Sequence, residues 1–411
     1  MKLKPTLFAL ALVAGLALAG CGSDEKDAAA PDAAGDAATA VAPATAAAPA
    51  TALPPPPQLN ARSFIVIDHE SGRVLAALEP DSRQEPASLT KLMTAYVVFH
   101  SLKEGRIKLG DMVTVSENAW RQAAPKLGGS AMYIEVGTQV SIENLLQGMI
   151  VQSGNDATVA LAEHVAGTEA TFVQMMNTFA KRLGLTGTHF TDAAGMPKPE
   201  QYITARDAAT LANALIHEFP EYYKWYSQKE FTWNGITQQN RNGLLWRDPS
   251  VDGVKTGHTK SAGYCLVTSA KRGDMRLVTA VMGTDSMRAR EDASAALLNY
   301  GFNFFETKRI YAAGQPLSTM RVWKGKLDEV GLTVGRDLYV TNQRGHQSSV
   351  KADFELPETL FAPLAKNKSV GKAKVVVDGQ TIATYDLYPT ADVPAAGFFG
   401  RAWDSLRLLF H

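Results

Sequence analysis

Three short motifs place hydroxyl, amine and amide side chains in a fixed order along the 411-residue chain. In the first motif, Ser88 and Lys91 are three residues apart at the start of a predicted helix. Residues with this spacing share one face of a helix, so the Lys91 amine comes within reach of the Ser88 hydroxyl. Because a serine hydroxyl is a weak nucleophile until a neighbouring base takes its proton, the pair predicts nucleophilic catalysis by serine.

The second and third motifs supply further polar groups downstream. Ser153 and Asn155 lie at a break between two helical patterns. Lys255, Thr256 and Gly257 lead into a predicted strand.

Each motif taken alone also has a structural interpretation. A serine at a helix start is commonly an N-cap, and Ser348 and Lys351 repeat the Ser-x-x-Lys spacing elsewhere in the chain. Ser153 suits a turn that caps a helix beginning near Ala157, and Lys255 suits the solvated edge of a strand. The functional prediction therefore depends on the three motifs together, in this order.

That combination resembles the active-site signature of the serine penicillin-binding proteins and β-lactamases. The segments 86–91, 152–157 and 252–259 closely resemble the low-molecular-weight D-alanyl-D-alanine carboxypeptidases, peptidase family S11. The resemblance extends from about Ser63 to the C-terminus. It implies removal of the terminal D-alanine from peptidoglycan pentapeptides through an acyl-enzyme, with β-lactams such as penicillins as covalent inhibitors.

The resemblance also implies catalytic roles for five residues. Ser88 would attack the carbonyl between the two D-alanines. Lys91 would be the neutral base, its ammonium form disfavoured by desolvation and by the positive charge of Lys255. Ser153 would relay a proton to the leaving amine, while Asn155 holds the substrate amide and Lys91.

Substrate binding is implied for a second, overlapping set of residues. The oxyanion would lie between the backbone N–H groups of Ser88 and His258. A substrate carboxylate needs cationic partners, and Arg290 matches the position of a carboxylate-binding arginine in the family, although Arg288 is close by and an ordinary surface arginine is the simpler interpretation. The predicted substrate-binding residues are Lys255, Thr256, Gly257, His258 and Arg290.

Other functions share parts of this signature. A DD-endopeptidase would use the same residues on peptide cross-links. A class A β-lactamase is disfavoured because no Glu-x-x-x-Asn pattern lies between Ser153 and Lys255, and a non-catalytic peptidoglycan-binding lipoprotein is disfavoured by the complete motifs. One departure concerns Ala194, where many relatives carry a histidine; any role of that histidine in placing the deacylating water must be absent or met elsewhere.

The elements that must position these residues follow from periodicity. Alternating residues predict one hairpin from 63–68 and 73–77 and a second from 266–270 and 275–282. Strands at both sequence ends with helices between them predict an α+β domain, an antiparallel sheet flanked by helices, followed by a small all-β domain and a C-terminal amphipathic helix. The predicted helices are Leu89–Leu102, Ile142–Val151, Ala157–Val165, Glu169–Leu183 and Ala205–His217.

Composition excludes several classes of protein. Lys and Arg number 41, as do Asp and Glu, so no basic field favours a nucleic-acid partner. Two cysteines, Cys21 and Cys265, and the lack of a His-Glu-x-x-His pattern leave little support for a metal site, and no cofactor is expected. Cys265 is expected to be a buried strand residue.

The two ends of the chain predict export and anchoring. Lys2 and Lys4 precede a short apolar run that ends in Leu-Ala-Gly before Cys21. This end resembles the lipobox of bacterial lipoproteins, with the lipid on Cys21; an ordinary signal peptide with an incidental cysteine is the alternative. The protein would then be exported to the cell envelope and face the periplasm, with inner or outer membrane left open.

The C-terminal segment Phe398–Phe410 places its apolar residues on one helix face, which suits either a membrane surface or packing on its own domain. The segment resembles the C-terminal amphipathic membrane anchor of the carboxypeptidase family named above. The predicted regions are a signal peptide (1–20), an Ala/Pro-rich linker (21–60), a catalytic domain (61–310), a small all-β domain (311–392) and an anchor helix (393–411).

Overall fold

The computed structural model describes residues 53–124, 129–345 and 349–410. The predicted signal peptide, Cys21 and most of the predicted linker lie outside the described residues. Within the described ranges, no helix is long and apolar enough to cross a bilayer.

Strand β1, Ser63–Asp68, is buried along its whole length. Ile65 and Ile67 enter one hydrophobic core, whereas Phe64 and Val66 enter another. Because successive side chains of a strand point to opposite faces, a strand with this pattern needs a cover on both sides. The run of apolar residues therefore places β1 in the middle layer of a three-layer domain.

That layer is a five-stranded antiparallel sheet in the order β2-β1-β9-β8-β7. The chain enters the sheet with β1 and β2 and returns to it only with β7, β8 and β9; the sequence predicts the two hairpins β1–β2 and β8–β9 but not strand β7. Its other strands are β2 Val74–Leu78, β7 Val251–Thr259, β8 Gly263–Arg272 and β9 Met275–Thr284. Two further antiparallel pairs join β3 Met112–Thr114 to β4 Gln139–Ser141 and, as a hairpin, β5 Glu230–Trp233 to β6 Ile236–Gln239.

Helices cover the two faces of the sheet. The long helix α9, Met287–Phe304, packs on β8 and β9 with one core, and the larger set of helices encloses the other core. That larger set contributes α1 Thr90–Lys103, α2 Glu117–Arg121, α3 Ile142–Val151, α4 Asn155–Ala166, α5 Glu169–Arg182 and α6 Ala205–Glu218. Two short helices, α7 Pro220–Tyr223 and α8 Leu244–Arg247, lie between α6 and β7.

A small all-β region follows α9. Six strands form a sheet in the order β14-β16-β17-β12-β11-β15, and β10 pairs with β13. The predicted α+β class with a following all-β domain is confirmed. The strands are β10 Phe305–Tyr311, β11 Ser318–Trp323, β12 Glu329–Val334, β13 Leu338–Gln343, β14 Val350–Glu355, β15 Leu360–Phe361, β16 Gly371–Val377 and β17 Gln380–Pro389.

The described chain ends in helix α10, Phe398–Arg407, and a 3₁₀ turn over Leu408–Phe410. The Asp404 carboxylate accepts a hydrogen bond from the backbone N–H of Lys324, which attaches the polar side of α10 to the all-β region. The large apolar side chains remain exposed, from 50% at Leu406 to 86% at Phe399. This helix therefore does not bury its apolar face on its own domain.

Candidate active site

Ser88 lies in a 3₁₀ turn, Ala87–Leu89, immediately before α1. The predicted helix starts one residue later than expected, at Thr90, and its first turn has no side-chain cap. The interpretation of Ser88 as an N-cap is therefore wrong. Its half-buried hydroxyl is free of that role and lies at the wall of a cleft.

The Nζ atom of Lys91 contacts three oxygen atoms. It lies 2.7 Å from Oδ1 of Asn155, 2.7 Å from the carbonyl of Ala194 and 3.1 Å from Oγ of Ser88. The first two oxygens are pure acceptors, so a neutral amine donates its two hydrogens to them. Its lone pair is then left for the hydroxyl of Ser88.

The ionisation of Lys91 suits this arrangement. The pKa of its ammonium is lowered to about 7, chiefly because burial removes Nζ from water. Within that net value, the Arg241 guanidinium also lowers the pKa, whereas Asp192 and Asp156 raise it. The sequence-based expectation assigned the positive influence to Lys255; the two lysines do interact, since the charge of Lys91 lowers the pKa of Lys255, and Arg241 supplies a further positive charge beside Lys91.

Ser153 occupies the loop between α3 and α4, with a left-handed backbone (φ 61°) that side chains rarely adopt. Helix α4 begins at Asn155 rather than near Ala157, and its N-cap is Gly154. The interpretation of Ser153 as a cap is therefore wrong. Asp156, which follows Asn155, is buried and holds the neighbouring loop by accepting hydrogen bonds from the backbone N–H groups of Met132, Tyr133 and Ile134.

Lys255 is buried in β7, with only 3% of its surface exposed, so the interpretation as a solvated strand-edge lysine is wrong. Its Nζ lies 3.0 Å from Oγ of Ser153. Burial lowers the pKa of Lys255 well below its usual value, and the charges of Lys91, Arg241 and Arg290 lower it further. Because burial disfavours its own charge, Lys255 is a poor source of fixed positive potential.

Gly257 allows β7 to lie directly against the turn that carries Ser88. A Cβ atom there would lie 3.1 Å from the carbonyl oxygen of Pro86 and 3.3 Å from Cβ of Ala87. A side chain would push the strand away from the nucleophile. The glycine of the third motif is thus explained by close approach of two backbones.

Several of these groups line one cleft of about 730 Å³. Ser88, Ser153 and Asn155 line it together with Thr256, Gly257 and the exposed His258, whereas Lys91 and Lys255 are buried and do not line it. Deeper in the structure, Arg290 of α9 is buried and donates to the carbonyls of Gly257, Cys265 and Arg241.

Comparison with known families agrees with this geometry. The family model of D-alanyl-D-alanine carboxypeptidase, peptidase S11, matches residues 49–286. The chain belongs to the D-alanyl-D-alanine carboxypeptidase family. A second model, the C-terminal domain of penicillin-binding protein 5, matches residues 305–395.

Individual members of the D-alanyl-D-alanine carboxypeptidase family are similar over most of their length. D-alanyl-D-alanine carboxypeptidase DacA of Haemophilus influenzae is 47% identical over 86% of this chain and 90% of the relative. DacC of Escherichia coli is also 47% identical, over 86% and 90%. The crystal structure of penicillin-binding protein 5 from Haemophilus influenzae aligns with a TM-score of 0.75 at 47% identity, covering 83% of this chain and 99% of that one.

The predicted enzyme class is therefore confirmed: the chain is a serine-type D-alanyl-D-alanine carboxypeptidase, a hydrolase that acts on the cell wall. The penicillin-binding-protein-like fold with its all-β C-terminal domain is confirmed with it.

Three observations on this carboxypeptidase go beyond the sequence motifs. Arg290 is buried at the cleft, so its interpretation as a surface arginine is wrong, whereas Arg288 is 71% exposed. Arg241 lines the same cleft and was missed, because nothing in its sequence neighbourhood resembles a motif. Asp156 was also missed as a functional residue, although it directly follows the second motif and its residue type signals a backbone-holding role.

Proposed function

We propose that Ser88 is the nucleophile of this carboxypeptidase and that neutral Lys91 is its base. The observation that carries the proposal is the three-way contact of Lys91 Nζ, which leaves a lone pair directed to Ser88 Oγ. Ser88 transfers its proton to Lys91 and attacks the carbonyl between the two D-alanines of a peptidoglycan pentapeptide. The terminal D-alanine leaves, and water then hydrolyses the acyl-enzyme.

Lys255 and Ser153 serve the leaving group in this proposal. The 3.0 Å contact between them supports a relay in which Lys255 orients the Ser153 hydroxyl, Ser153 hands its proton to the departing amine, and the proton that Lys91 took from Ser88 restores that hydroxyl. Asn155 holds Lys91 through its Oδ1, while the hydrogen-bond partner that the described residues give its Nδ2 is the weak acceptor Sδ of Met196, at 3.5 Å. That amide is thus available to the substrate.

The carbonyl oxygen and the terminal carboxylate take separate positions. The backbone N–H groups of Ser88 and His258 form the oxyanion hole, consistent with both residues lining the cleft and with β7 lying against the turn that carries Ser88. Thr256 and Gly257 line the wall beside His258, and the charge of Arg290 attracts the carboxylate. Since Lys255 is a poor source of fixed charge, Arg290 and Arg241 supply the positive potential.

Mass spectrometry tests the assignment of the nucleophile. The purified chain is expected to gain one penicilloyl group on Ser88 and to release D-alanine from a pentapeptide. The Ser88→Ala variant is expected to lose both. An adduct that persists unchanged in this variant contradicts the proposal, and parallel measurement on a cross-linked peptide dimer separates carboxypeptidase from endopeptidase preference.

We further propose that the protein is exported and held at the membrane surface by a lipid on Cys21 and by α10. The exposed Phe398, Phe399 and Trp403, beside a polar side attached through Asp404, support an interfacial helix. Cell fractionation tests this: Cys21→Ser combined with deletion from Gly397 is expected to release the protein, and either change alone to retain part of it. A membrane-bound double variant contradicts the anchoring.

A further inference from the structure

A buried carboxylate organises the loop 191–197 that borders the cleft. Oδ1 of Asp192 accepts hydrogen bonds from the backbone N–H groups of Ala194, Gly195 and Met196, at 2.9, 2.5 and 3.3 Å. Only 3% of the Asp192 surface is exposed. A charged acceptor shared by three successive N–H groups fixes the direction of each peptide in the turn.

Gln201 braces the same turn from behind. Its Oε1 accepts from the backbone N–H groups of Thr191 and Asp192, at 2.8 and 3.0 Å. Its Nε2 donates to the carbonyl of Met196 at 2.8 Å and to Oδ2 of Asp192 at 3.3 Å. Both ends of the loop are therefore tied to one neutral side chain.

The loop in turn attaches to the catalytic helix. The carbonyl of Ala194 accepts from Nζ of Lys91, and the carbonyl of Ala193 accepts from Oγ1 of Thr94, each at 2.7 Å. Gly195 lies directly against the backbone of Ala87, where a Cβ atom would overlap the carbonyl oxygen. The turn thus closes on both the base and the residue preceding the nucleophile.

We propose that Asp192 is a positioning residue for the acylation step: it holds the carbonyl of Ala194 against Lys91 and thereby keeps the lone pair of that amine directed to Ser88. It does not touch the substrate, because it is absent from the cleft lining. The proposal rests on the assignment of Lys91 as the base.

Its negative charge gives the proposal a second, measurable consequence. Asp192 raises the pKa of Lys91 and so opposes part of the lowering by burial. Without that charge, Lys91 is neutral at a lower pH. Other titratable or charged groups also face Lys91 and the loop. Arg241, Asp156 and buried Lys255 lie around Lys91. Lys198 lies 3.4 Å from Oδ2 of Asp192, and Glu169 accepts a hydrogen bond from the N–H of Ala193.

Two variants of the full-length chain separate charge from geometry. Asp192→Asn keeps an oxygen that accepts the three N–H bonds but removes the charge, together with the contacts of Oδ2 with Gln201 Nε2 and Lys198 Nζ. Gln201→Ala removes the neutral brace and leaves the charge. Asp207→Asn is the matched control, because Asp207 is also buried and accepts from the N–H of Gly187 and from Thr188, but has no contact with Lys91.

The readout is the second-order rate constant for acylation by a penicillin, measured from pH 5 to 9 with a thermal unfolding curve for each variant. For each variant, the rate constant at pH 5.5 is divided by the rate constant on its own alkaline plateau. For Asp192→Asn we expect this ratio to be at least about threefold higher than for the parent protein. For Gln201→Ala we expect a plateau at least about tenfold lower with the acidic limb unmoved. Asp207→Asn is expected to change neither quantity.

An acidic limb of Asp192→Asn that coincides with the parent, or a full plateau for Gln201→Ala, overturns the inference. If Asp192→Asn is unfolded at the assay temperature, the Gln201→Ala plateau alone decides the positioning role. The variant Lys91→Ala separates a failure of the proposed base from a failure of the proposed positioning residue. If Lys91→Ala still acylates, Lys91 is not the base. If it does not acylate, a negative result for Asp192→Asn contradicts only the role of Asp192.

Discussion

Nζ of Lys255 lies 3.0 Å from Oγ of Ser153, although the two residues come from different motifs on a strand and a loop. Both side chains are buried, and Ser153 is held with a left-handed backbone that aims it into the cleft. A buried hydroxyl between an amine and the cleft is an arrangement suited to proton transfer and poorly suited to stability.

This contact predicts the effect of Lys255→Met on D-alanine release. The variant removes the amine that orients the Ser153 hydroxyl toward the leaving group while keeping the length of the side chain, so kcat is expected to fall about 10²–10⁴-fold. Stopped assays of D-alanine release from a pentapeptide measure it. Lys351→Met, on exposed β14, is the control; a kcat for Lys255→Met equal to that of the control contradicts the relay.

The pH dependence of acylation follows from Lys91. Its pKa of about 7 means that the ammonium form, which cannot accept the Ser88 proton, predominates below pH 7 and the neutral base above it. The rate of penicillin acylation is therefore expected to rise with pH through about 7 and then level off. Stopped-flow measurement with a fluorescent penicillin checks this, and a rate that is flat from pH 5.5 to 8 refutes the assignment.

Gly195 predicts a stability difference between two glycine variants. Gly184 and Gly195 both have positive φ, of 71° and 89°, but a Cβ at Gly184 meets nothing within 4 Å, whereas one at Gly195 overlaps the Ala87 carbonyl. Gly184→Ala is expected to cost about 1–2 kcal/mol of unfolding free energy from backbone strain alone. Gly195→Ala is expected to cost about 1–3 kcal/mol more of unfolding free energy, because its Cβ overlaps the Ala87 carbonyl, and to slow acylation. Chemical denaturation measures both costs. Equal costs for the two variants would show that the loop shifts to accept the Cβ.

Arg290 predicts a change in substrate binding. Arg290→Gln removes a buried positive charge next to the wall formed by Gly257, so KM for a pentapeptide with a free terminal carboxylate is expected to rise about tenfold or more. A peptide amidated at that carboxylate is expected to lose far less. Exposed Arg288→Gln is the control, and equal effects on the two peptides would remove Arg290 from carboxylate recognition.

How much of this was readable from the sequence differs between the fold and the site. Strands β1, β8 and β9 alternate between two cores, so local periodicity was sufficient to predict them and the α+β class. Helix starts were less predictable: α1 and α4 each begin within two residues of the expected position. Those shifts place Ser88 in a 3₁₀ turn and Asn155 at a helix N-terminus, because tertiary contacts of the neighbouring loops override the local pattern.

The sequence by itself determined the chemical inventory of this carboxypeptidase: a serine, two lysines and an amide in an order that predicts acyl transfer. Only the tertiary structure decided their ionisation and direction. Burial of Lys91 and Lys255 disfavours their charged forms, and the carbonyl of Ala194 and the fixed charge of Arg241 come from segments with no motif. Desolvation and long-range contacts depend on which segments the fold brings together, and a linear pattern does not contain that information.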